Sequence, residues 1–275
     1  MRGEFVDVGG VRLYYYAAGT RGAGEPVVFL HGFPCSGHLW GDIVAQMPAG
    51  HRLVVVDLLG YGRSDPPGTS ALTLHAHAER VVGLLDALRI PAACVVGHGL
   101  GGGVAQALCV DWPDRVSRLA LINSVAFNGW PPRDVRVVRA LLPLARLVPA
   151  NWLLPIARAE LERGYNDPLR ATHSIDKYQR PFHGNDGRIA FWKHVAALDW
   201  RETQSSASRL REIGVPTAVI WGAQDPFLKP SLGRRLTDAI HGATFDVLAD
   251  GRHFTPEESP RQIAELIVAL LARTA

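Results

Sequence analysis

Residues 95–102 read Val-Val-Gly-His-Gly-Leu-Gly-Gly, a short apolar run that meets a cluster of glycines and then a helical pattern. An apolar run bounded by turn residues is typical of a strand that is buried on both faces. The glycines predict a sharp turn, because glycine adopts left-handed backbone angles without a steric penalty. The stretch therefore predicts a buried strand that breaks directly into a helix, with Gly99 at the turn.

This turn is the kind of position at which many enzymes carry a nucleophile. In the motif G-x-S-x-G, a strand-to-helix turn exposes the central side chain so that it can attack a substrate. The central residue here is Gly99, which has no side chain. The sequence therefore excludes covalent catalysis from position 99.

Four other segments also carry recognisable motifs, and together with the turn they span most of the chain. They are Leu30-His31-Gly32-Phe33-Pro34 after an apolar run, the strand and glycine-rich turn at 54–65, the segment 219–226 with Asp225, and the segment 251–254 with His253. This set resembles the α/β-hydrolase superfamily, especially its capped epoxide-hydrolase, dehalogenase and esterase-like members. The order of nucleophile position, acid and histidine is that of the superfamily.

The resemblance implies a role for each of these positions. Asp225 would orient His253 as a general base, and the backbone amides of Phe33 and Leu100 would form an oxyanion hole. Leu100 also stands where many relatives carry a tryptophan, which argues against a haloalkane halide site. Because residue 99 is glycine, the sequence does not show whether the chain resembles members with an aspartate nucleophile or members with a serine nucleophile.

The remaining pattern favours an α/β fold with a mostly parallel, eight-stranded sheet flanked by helices, since short β-branched runs alternate with helical periodicity. The predicted strands are Phe5–Val8, Val11–Ala17, Val27–Leu30, Leu53–Asp57, Ala93–Gly97, Leu119–Asn123, Thr217–Trp221 and Thr244–Leu248. The predicted helices lie near Leu39–Met47, Thr73–Leu88, Leu100–Trp112, Ser231–Ala239 and Pro256–Ala272.

The pattern changes between residues 127 and 210, where strand-like runs vanish and apolar residues recur at helical spacing. Prolines divide this segment, which predicts several short helices. They are Pro131, Pro132, Pro143, Pro149, Pro155, Pro168 and Pro181. We therefore expect an α/β-hydrolase core at residues 1–126 and 211–275, with a helical cap inserted at 127–210.

The composition limits the partners. The chain has 275 residues, 47% hydrophobic and 20% charged, with a formal net charge of +3. No basic stripe suggests nucleic acid, and no apolar run reaches membrane-spanning length. The amino terminus lacks an apolar signal core, so we expect a cytoplasmic protein that does not bind a membrane.

Three cysteines give no disulfide framework, and no metal-ligand spacing or cofactor motif is found. We expect a small-molecule substrate and neither metal nor cofactor; a homodimer stays open.

Further residues are candidates for the pocket wall. They are His31, His98, Cys35, Ser124, Trp130, Tyr165, Tyr178 and Trp192. The resemblance implies that the two histidines mostly brace loops. Cys35 and Ser124 are potential substitute nucleophiles, with loop packing as the alternative. The two tyrosines are potential proton donors, and the tryptophans could build an apolar pocket or pack the cap on the core.

Two features, a preserved base and an absent nucleophile, lead to the main functional prediction. We expect an enzyme that uses His253 and Asp225 for non-covalent proton transfer, as a lyase, cyclase, isomerase, dehydratase or cofactor-free oxygenase acting on an aromatic or polycyclic metabolite. One alternative is a hydrolase of an ester, lactone or epoxide, with water activated directly by His253, or with Gly99 as an engineered substitution. Another alternative is a non-catalytic small-molecule binding protein.

Overall fold

The computed structural model describes residues 3–19, 24–140 and 150–274, and its centre is one eight-stranded sheet. The strands are β1 (Glu4–Val8), β2 (Val11–Ala18), β3 (Val27–Leu30), β4 (Leu53–Val56), β5 (Ala93–His98), β6 (Val116–Ile122), β7 (Thr217–Gly222) and β8 (Thr244–Leu248). Their order is β1-β2-β4-β3-β5-β6-β7-β8. β2 runs antiparallel to β1 and β4, and the other paired strands are parallel. The predicted fold class is confirmed.

Helices cover both faces of the sheet, because the central strands are apolar on both sides. In β3, Val28 and Leu30 belong to one buried cluster, whereas Val27 and Phe29 belong to the other. The helices of the core are α1 (Gly41–Gln46), α2 (Leu74–Ala87), α3 (Leu100–Asp111), α9 (Pro230–Ala239), α10 (Thr255–Glu258) and α11 (Pro260–Leu271). Helices α2, α3 and α9 bury side chains in the first cluster, and α1 and α11 in the second.

One predicted strand begins too late, and one predicted helix is in fact two helices. β6 begins at Val116, three residues before the prediction, because its first residues already pair with Ala93 and Cys94 of β5. The predicted helix Pro256–Ala272 is two helices, α10 and α11. They are separated at Ser259, since the residue before a proline is disfavoured in helical conformation.

The described residues between β6 and β7 form helices and no strand. The helices are α4 (Arg133–Ala140), α5 (Ala150–Glu162), α6 (Pro168–Gln179), α7 (Gly184–Ala197) and α8 (Trp200–Ser205). Pro168 opens α6, but Pro155 lies inside α5, so a proline does not end every helix here. Pro143 and Pro149 lie outside the described residues. We propose that these helices form the cap predicted at 127–210, and "cap" is used below for that segment.

In the ranges described, no helix has both the length and the hydropathy needed to cross a bilayer.

Candidate active site

The turn between β5 and α3 requires glycine at two positions. Gly99 has φ 54° and ψ −119°, in the left-handed region that side-chain-bearing residues rarely adopt. A β-carbon on Gly101 would lie 2.2 Å from the carbonyl oxygen of Leu30, so only glycine lets α3 approach β3 this closely. The geometry is that of a strained strand-to-helix turn.

Asp225 and His253 meet at the carboxyl ends of β7 and β8. The Nδ1 atom of His253 lies 2.8 Å from Oδ2 of Asp225. The carboxylate is fully buried, whereas about 10% of the imidazole surface is exposed. The carboxylate accepts a hydrogen bond from Nδ1–H, which keeps the proton on Nδ1 and leaves Nε2 free to accept a proton. The pair can therefore act as an oriented base.

The Asp225 carboxylate is fixed from four directions. Its Oδ1 accepts hydrogen bonds from the amides of Phe227 (2.8 Å) and Leu228 (3.0 Å). Its Oδ2 accepts from His253 and also from Nδ2 of Asn123, at 2.6 Å. Burial acts to raise the pKa of Asp225, but His253 and these hydrogen bonds hold it below its ordinary value. The carboxylate thus stays ionised beside the imidazole.

Asn123 is not among the site residues predicted from the sequence. It is fully buried at the end of β6, and its Oδ1 accepts a hydrogen bond from Oγ1 of Thr255 at 2.9 Å. This bond fixes the amide so that Nδ2 faces Asp225. The available signal was a polar residue after an apolar strand, next in the sheet to the strand that carries Asp225.

Gly99 lies directly below the base. A β-carbon at position 99 would be 3.7 Å from Nε2 of His253 and 3.5 Å from Cα of Gly32, both ordinary van der Waals contacts. The turn and the imidazole are therefore spaced like a nucleophile and its base. Because residue 99 is glycine, no side chain of this residue fills the space between the turn and the imidazole.

The cavity floor includes the two residues whose amides were expected to form an oxyanion hole, Phe33 and Leu100. Phe33 follows β3 and Leu100 is the first residue of α3, and both residues line the same cavity as His253. Among the described residues, no hydrogen-bond acceptor is found for either amide. Backbone amides at a helix N-terminus stabilise negative charge. The two amides are therefore candidates for an oxyanion hole.

His31 and His98 lie beneath the site and do not line the cavity. Nε2 of His31 accepts a hydrogen bond from the Leu58 amide (3.0 Å), so its Nδ1 donates to the carbonyl of Gly32 (2.8 Å). Nε2 of His98 donates to the carbonyl of His253 (2.9 Å). Burial lowers the pKa of both, to about 3 for His98. These neutral rings brace the loops around the base, and the expectation that they border the pocket is corrected.

Cys35 and Ser124 are also placed away from the cavity, which corrects their assignment as pocket residues. Both are buried. Burial raises the pKa of the Cys35 thiol well above its ordinary value, which disfavours the reactive thiolate. The Ser124 hydroxyl accepts from Gln106 (2.9 Å) and donates to the carbonyl of Val125 (3.1 Å). Neither side chain is positioned as a substitute nucleophile.

Tyr165 and Tyr178 are likewise absent from the cavity wall. Both are buried, and the hydroxyl of Tyr165 donates to the carboxylate of Glu257, which also accepts from Ser174. Burial raises the pKa of both tyrosines. They are packed around Glu257, and the expectation that they donate protons in the pocket is corrected.

The cavity above Gly99 has a volume of about 900 Å³. Its floor includes Phe33, Gly99, Leu100 and His253, and its walls come largely from the cap. Trp130 and Trp192 both line it, among mainly aliphatic neighbours. The liners with an ionisable side chain among the described residues are Glu160, Arg163 and His253. In the same part of the chain, no cluster of three His, Cys, Asp or Glu side chains could hold a metal ion.

Buried neutral histidines should make the fold sensitive to acid. Burial lowers the pKa of His98 to about 3 and that of His194 to about 4, from 6.5. Between the folded-state and unfolded-state pKa values, the unfolded chain binds more protons than the folded chain. The free energy of unfolding is therefore highest above pH 6.5 and falls as the pH is lowered through this range. At pH 5 each of these two histidines should lower the free energy of unfolding by about 2 kcal/mol relative to its value above pH 6.5.

Urea unfolding at pH 7.5 and pH 5.0 measures this loss. His194→Phe should reduce the loss by about 2 kcal/mol, because it removes one of the histidines whose pKa is lowered by burial. An equal loss in the variant and the wild type would contradict this assignment.

The chain belongs to the α/β hydrolase fold family, whose sequence model matches residues 25–260. The acetyltransferase component (dihydrolipoyllysine-residue acetyltransferase) of the acetoin cleaving system of Cupriavidus necator is 30% identical, over 96% of this chain and 67% of its own length. The 2-hydroxy-6-oxononadienedioate/2-hydroxy-6-oxononatrienedioate hydrolase of Paraburkholderia xenovorans is 27% identical, over 96% of this chain and 92% of its own. The crystal structure of the enol-lactonase from Burkholderia xenovorans has a TM-score of 0.81 and 26% identity, covering 98% of this chain and 100% of that one.

These relatives correct the main functional prediction. A hydrolase and a lactonase align over nearly the whole chain, and their names describe hydrolytic enzymes. The expected lyase, cyclase, isomerase, dehydratase or oxygenase activity is therefore wrong, and the hydrolase alternative is favoured. The physical error was to place proton transfer on a bound metabolite before direct attack by water, which a positioned base can also activate.

Proposed function

We propose that the protein is a hydrolase of a carboxylic ester or lactone, in which His253 activates water directly. One observation carries the proposal: Nε2 of His253, whose ring is oriented by Asp225, lies next to the glycine turn in a cavity that Phe33 and Leu100 also line. Membership of a family of enzymes and the lactonase-like fold support hydrolysis of this type of bond.

The reaction follows from this arrangement. The substrate carbonyl oxygen accepts hydrogen bonds from the amides of Phe33 and Leu100, and a water molecule donates one to Nε2 of His253. The imidazole takes a proton as the water oxygen attacks the carbonyl carbon, which gives a tetrahedral oxyanion. The carbon–oxygen bond to the leaving group then breaks, and the imidazolium returns its proton to the leaving alkoxide. Asp225 stays ionised throughout and stabilises the imidazolium.

We do not expect this chain to hydrolyse the dioate that is named for the Paraburkholderia relative. A dienedioate has two carboxylates, whereas the one Lys or Arg side chain among the described liners of this cavity is Arg163. That guanidinium is already hydrogen-bonded to Glu160, at 2.6 and 2.8 Å. An ester or lactone needs no such cation.

A panel of esters and lactones, with and without apolar chains, tests the proposal through the acid that is released. We expect slow turnover of at least one class by the wild-type protein, above the rate in buffer. If the protein binds members of the panel but hydrolyses none, the non-catalytic binding alternative replaces the proposal. Comparison of codon 99 with the source gene tests the alternative of an engineered substitution.

Asn123 should act as a positioning residue for the base. In Asn123→Leu, Asp225 loses the hydrogen bond to Oδ2 and can rotate away from His253. A hydrogen bond to a charged group contributes about 1.5–3 kcal/mol, so kcat should fall roughly 10- to 100-fold while KM changes little. Asn123→Asp places a second carboxylate beside Asp225 and should alter the pH profile of kcat.

Measurement of kcat and KM across pH tests this role. Thr255→Val is the matched control, because it removes only the hydrogen bond to Oδ1 of Asn123 and should have a smaller effect. A purely structural role would leave the pH profile of Asn123→Asp unchanged.

A further inference from the structure

The cavity that contains the proposed site is almost entirely apolar. From the cap, Trp130, Leu153, Phe191, Val195 and Leu198 line it, and each is at least nine-tenths buried. No Ser, Thr, Asn, Gln or Tyr side chain lines it within the ranges that the structure describes. A ligand in this cavity therefore exchanges water mainly for hydrocarbon and aromatic surface.

The polar and charged liners lie where the cavity meets solvent or at the base itself. Arg163 and Glu160, with side chains 56% and 36% exposed, form an ion pair with each other. Val138 and Ile156 also line the cavity and are 41% and 63% exposed, so the opening is partly apolar. A substrate carboxylate inside the cavity would lose its hydration without gaining an unpaired cation from the described residues.

We infer that the substrate is an uncharged ester or lactone with an extended apolar group, and that the cavity excludes molecules with a carboxylate on that group. The inference rests on the proposed hydrolysis for the type of bond. The preference for an extended, uncharged apolar group on the substrate rests on the cavity alone. The apolar group lies between the cap helices, and the reacting carbonyl lies at the Phe33 and Leu100 amides.

Ketones test the preference without turnover, because they present a carbonyl to the amides but have no leaving group. Calorimetric titration of the full chain with the series from 2-pentanone to 2-nonanone should show about fourfold tighter binding per methylene. The matched anion is 7-oxooctanoate, which has the chain length of 2-octanone and a terminal carboxylate. It should bind at least about 100-fold more weakly than 2-octanone.

A cation placed at the opening should reverse part of this discrimination. Ile156→Arg should strengthen binding of 7-oxooctanoate by about tenfold and weaken that of 2-octanone. Leu169→Arg is the control, since Leu169 is 83% exposed and does not line the cavity, so both affinities should stay unchanged. Val138→Arg serves as a second variant if Ile156→Arg does not fold.

Equal or tighter binding of 7-oxooctanoate by the wild-type protein would overturn the inference, as would no binding of any ketone. Equal effects of the arginine at positions 156 and 169 would also overturn it. Ketone binding requires no water activation. If the protein shows the preference among ketones but hydrolyses no ester, the inference stands and only the proposed function is rejected.

Discussion

Replacement of His253 with alanine should lower kcat for ester or lactone hydrolysis by roughly 10²–10⁴-fold, the usual contribution of a positioned general base. The wild-type imidazole has Nδ1 held by Asp225 and Nε2 next to Gly99, so no other described group on the cavity wall is placed to take the proton of the attacking water. Ketone affinity should change little, because the cap supplies most of the binding surface.

The measurement is turnover and ketone binding in parallel for the wild type, His253→Ala and Asp225→Asn. Asp225→Asn should also slow turnover, because an amide does not select the same tautomer of the imidazole. His75→Ala is a suitable control, since that side chain is 61% exposed and is bonded to Asp111. Full turnover in His253→Ala would rule out the proposed base.

Gly99→Ser should add a nucleophile to an existing base and so increase ester hydrolysis on the order of 10²-fold or more. The space allows the change, because a β-carbon at this position makes only ordinary contacts with Gly32 and His253. The backbone opposes it, since φ of 54° is strained for serine. We expect the free energy of unfolding to fall by about 1–2 kcal/mol while activity rises.

Gly99→Ala separates these two effects. Alanine has the same backbone strain but no attacking atom, so it should be destabilised like serine and gain no activity. The assay is hydrolysis of a small activated ester, with urea unfolding on the same samples. If the serine variant folds and is no faster than the alanine variant, the base is not aligned with position 99.

The sequence predicted the fold well because the relevant signals are local. The apolar runs before Gly99, Asp225 and His253 identify strands, and the parallel sheet then brings their carboxyl ends to one edge. The pairing of Asp225 with His253 at 2.8 Å is a geometric consequence of that topology. Pro260 indicates a break at Ser259 between α10 and α11, but helical periodicity on both sides of Ser259 obscured this boundary.

The parts that the sequence did not predict depend on contacts distant in the chain. Asn123 contacts Asp225 across 102 positions, and its one local signal, a polar residue after an apolar strand, does not identify that partner. Tyr165 was expected in the pocket because it lies in the cap, yet it packs against Phe254 and bonds to Glu257. Which face of the cap a side chain covers is decided by packing, which spacing alone does not reveal.

The most direct test of direct water attack is a pre-steady-state measurement of wild-type protein mixed with an activated ester of the preferred apolar chain. The proposed mechanism has no acyl-enzyme, so the alcohol should be released linearly from the first turnover, and the protein mass should stay unchanged during the reaction. Gly99→Ser should instead show a burst approaching one equivalent and a mass increase equal to the acyl group. A stoichiometric burst or an acyl adduct in the wild-type protein would contradict the proposal.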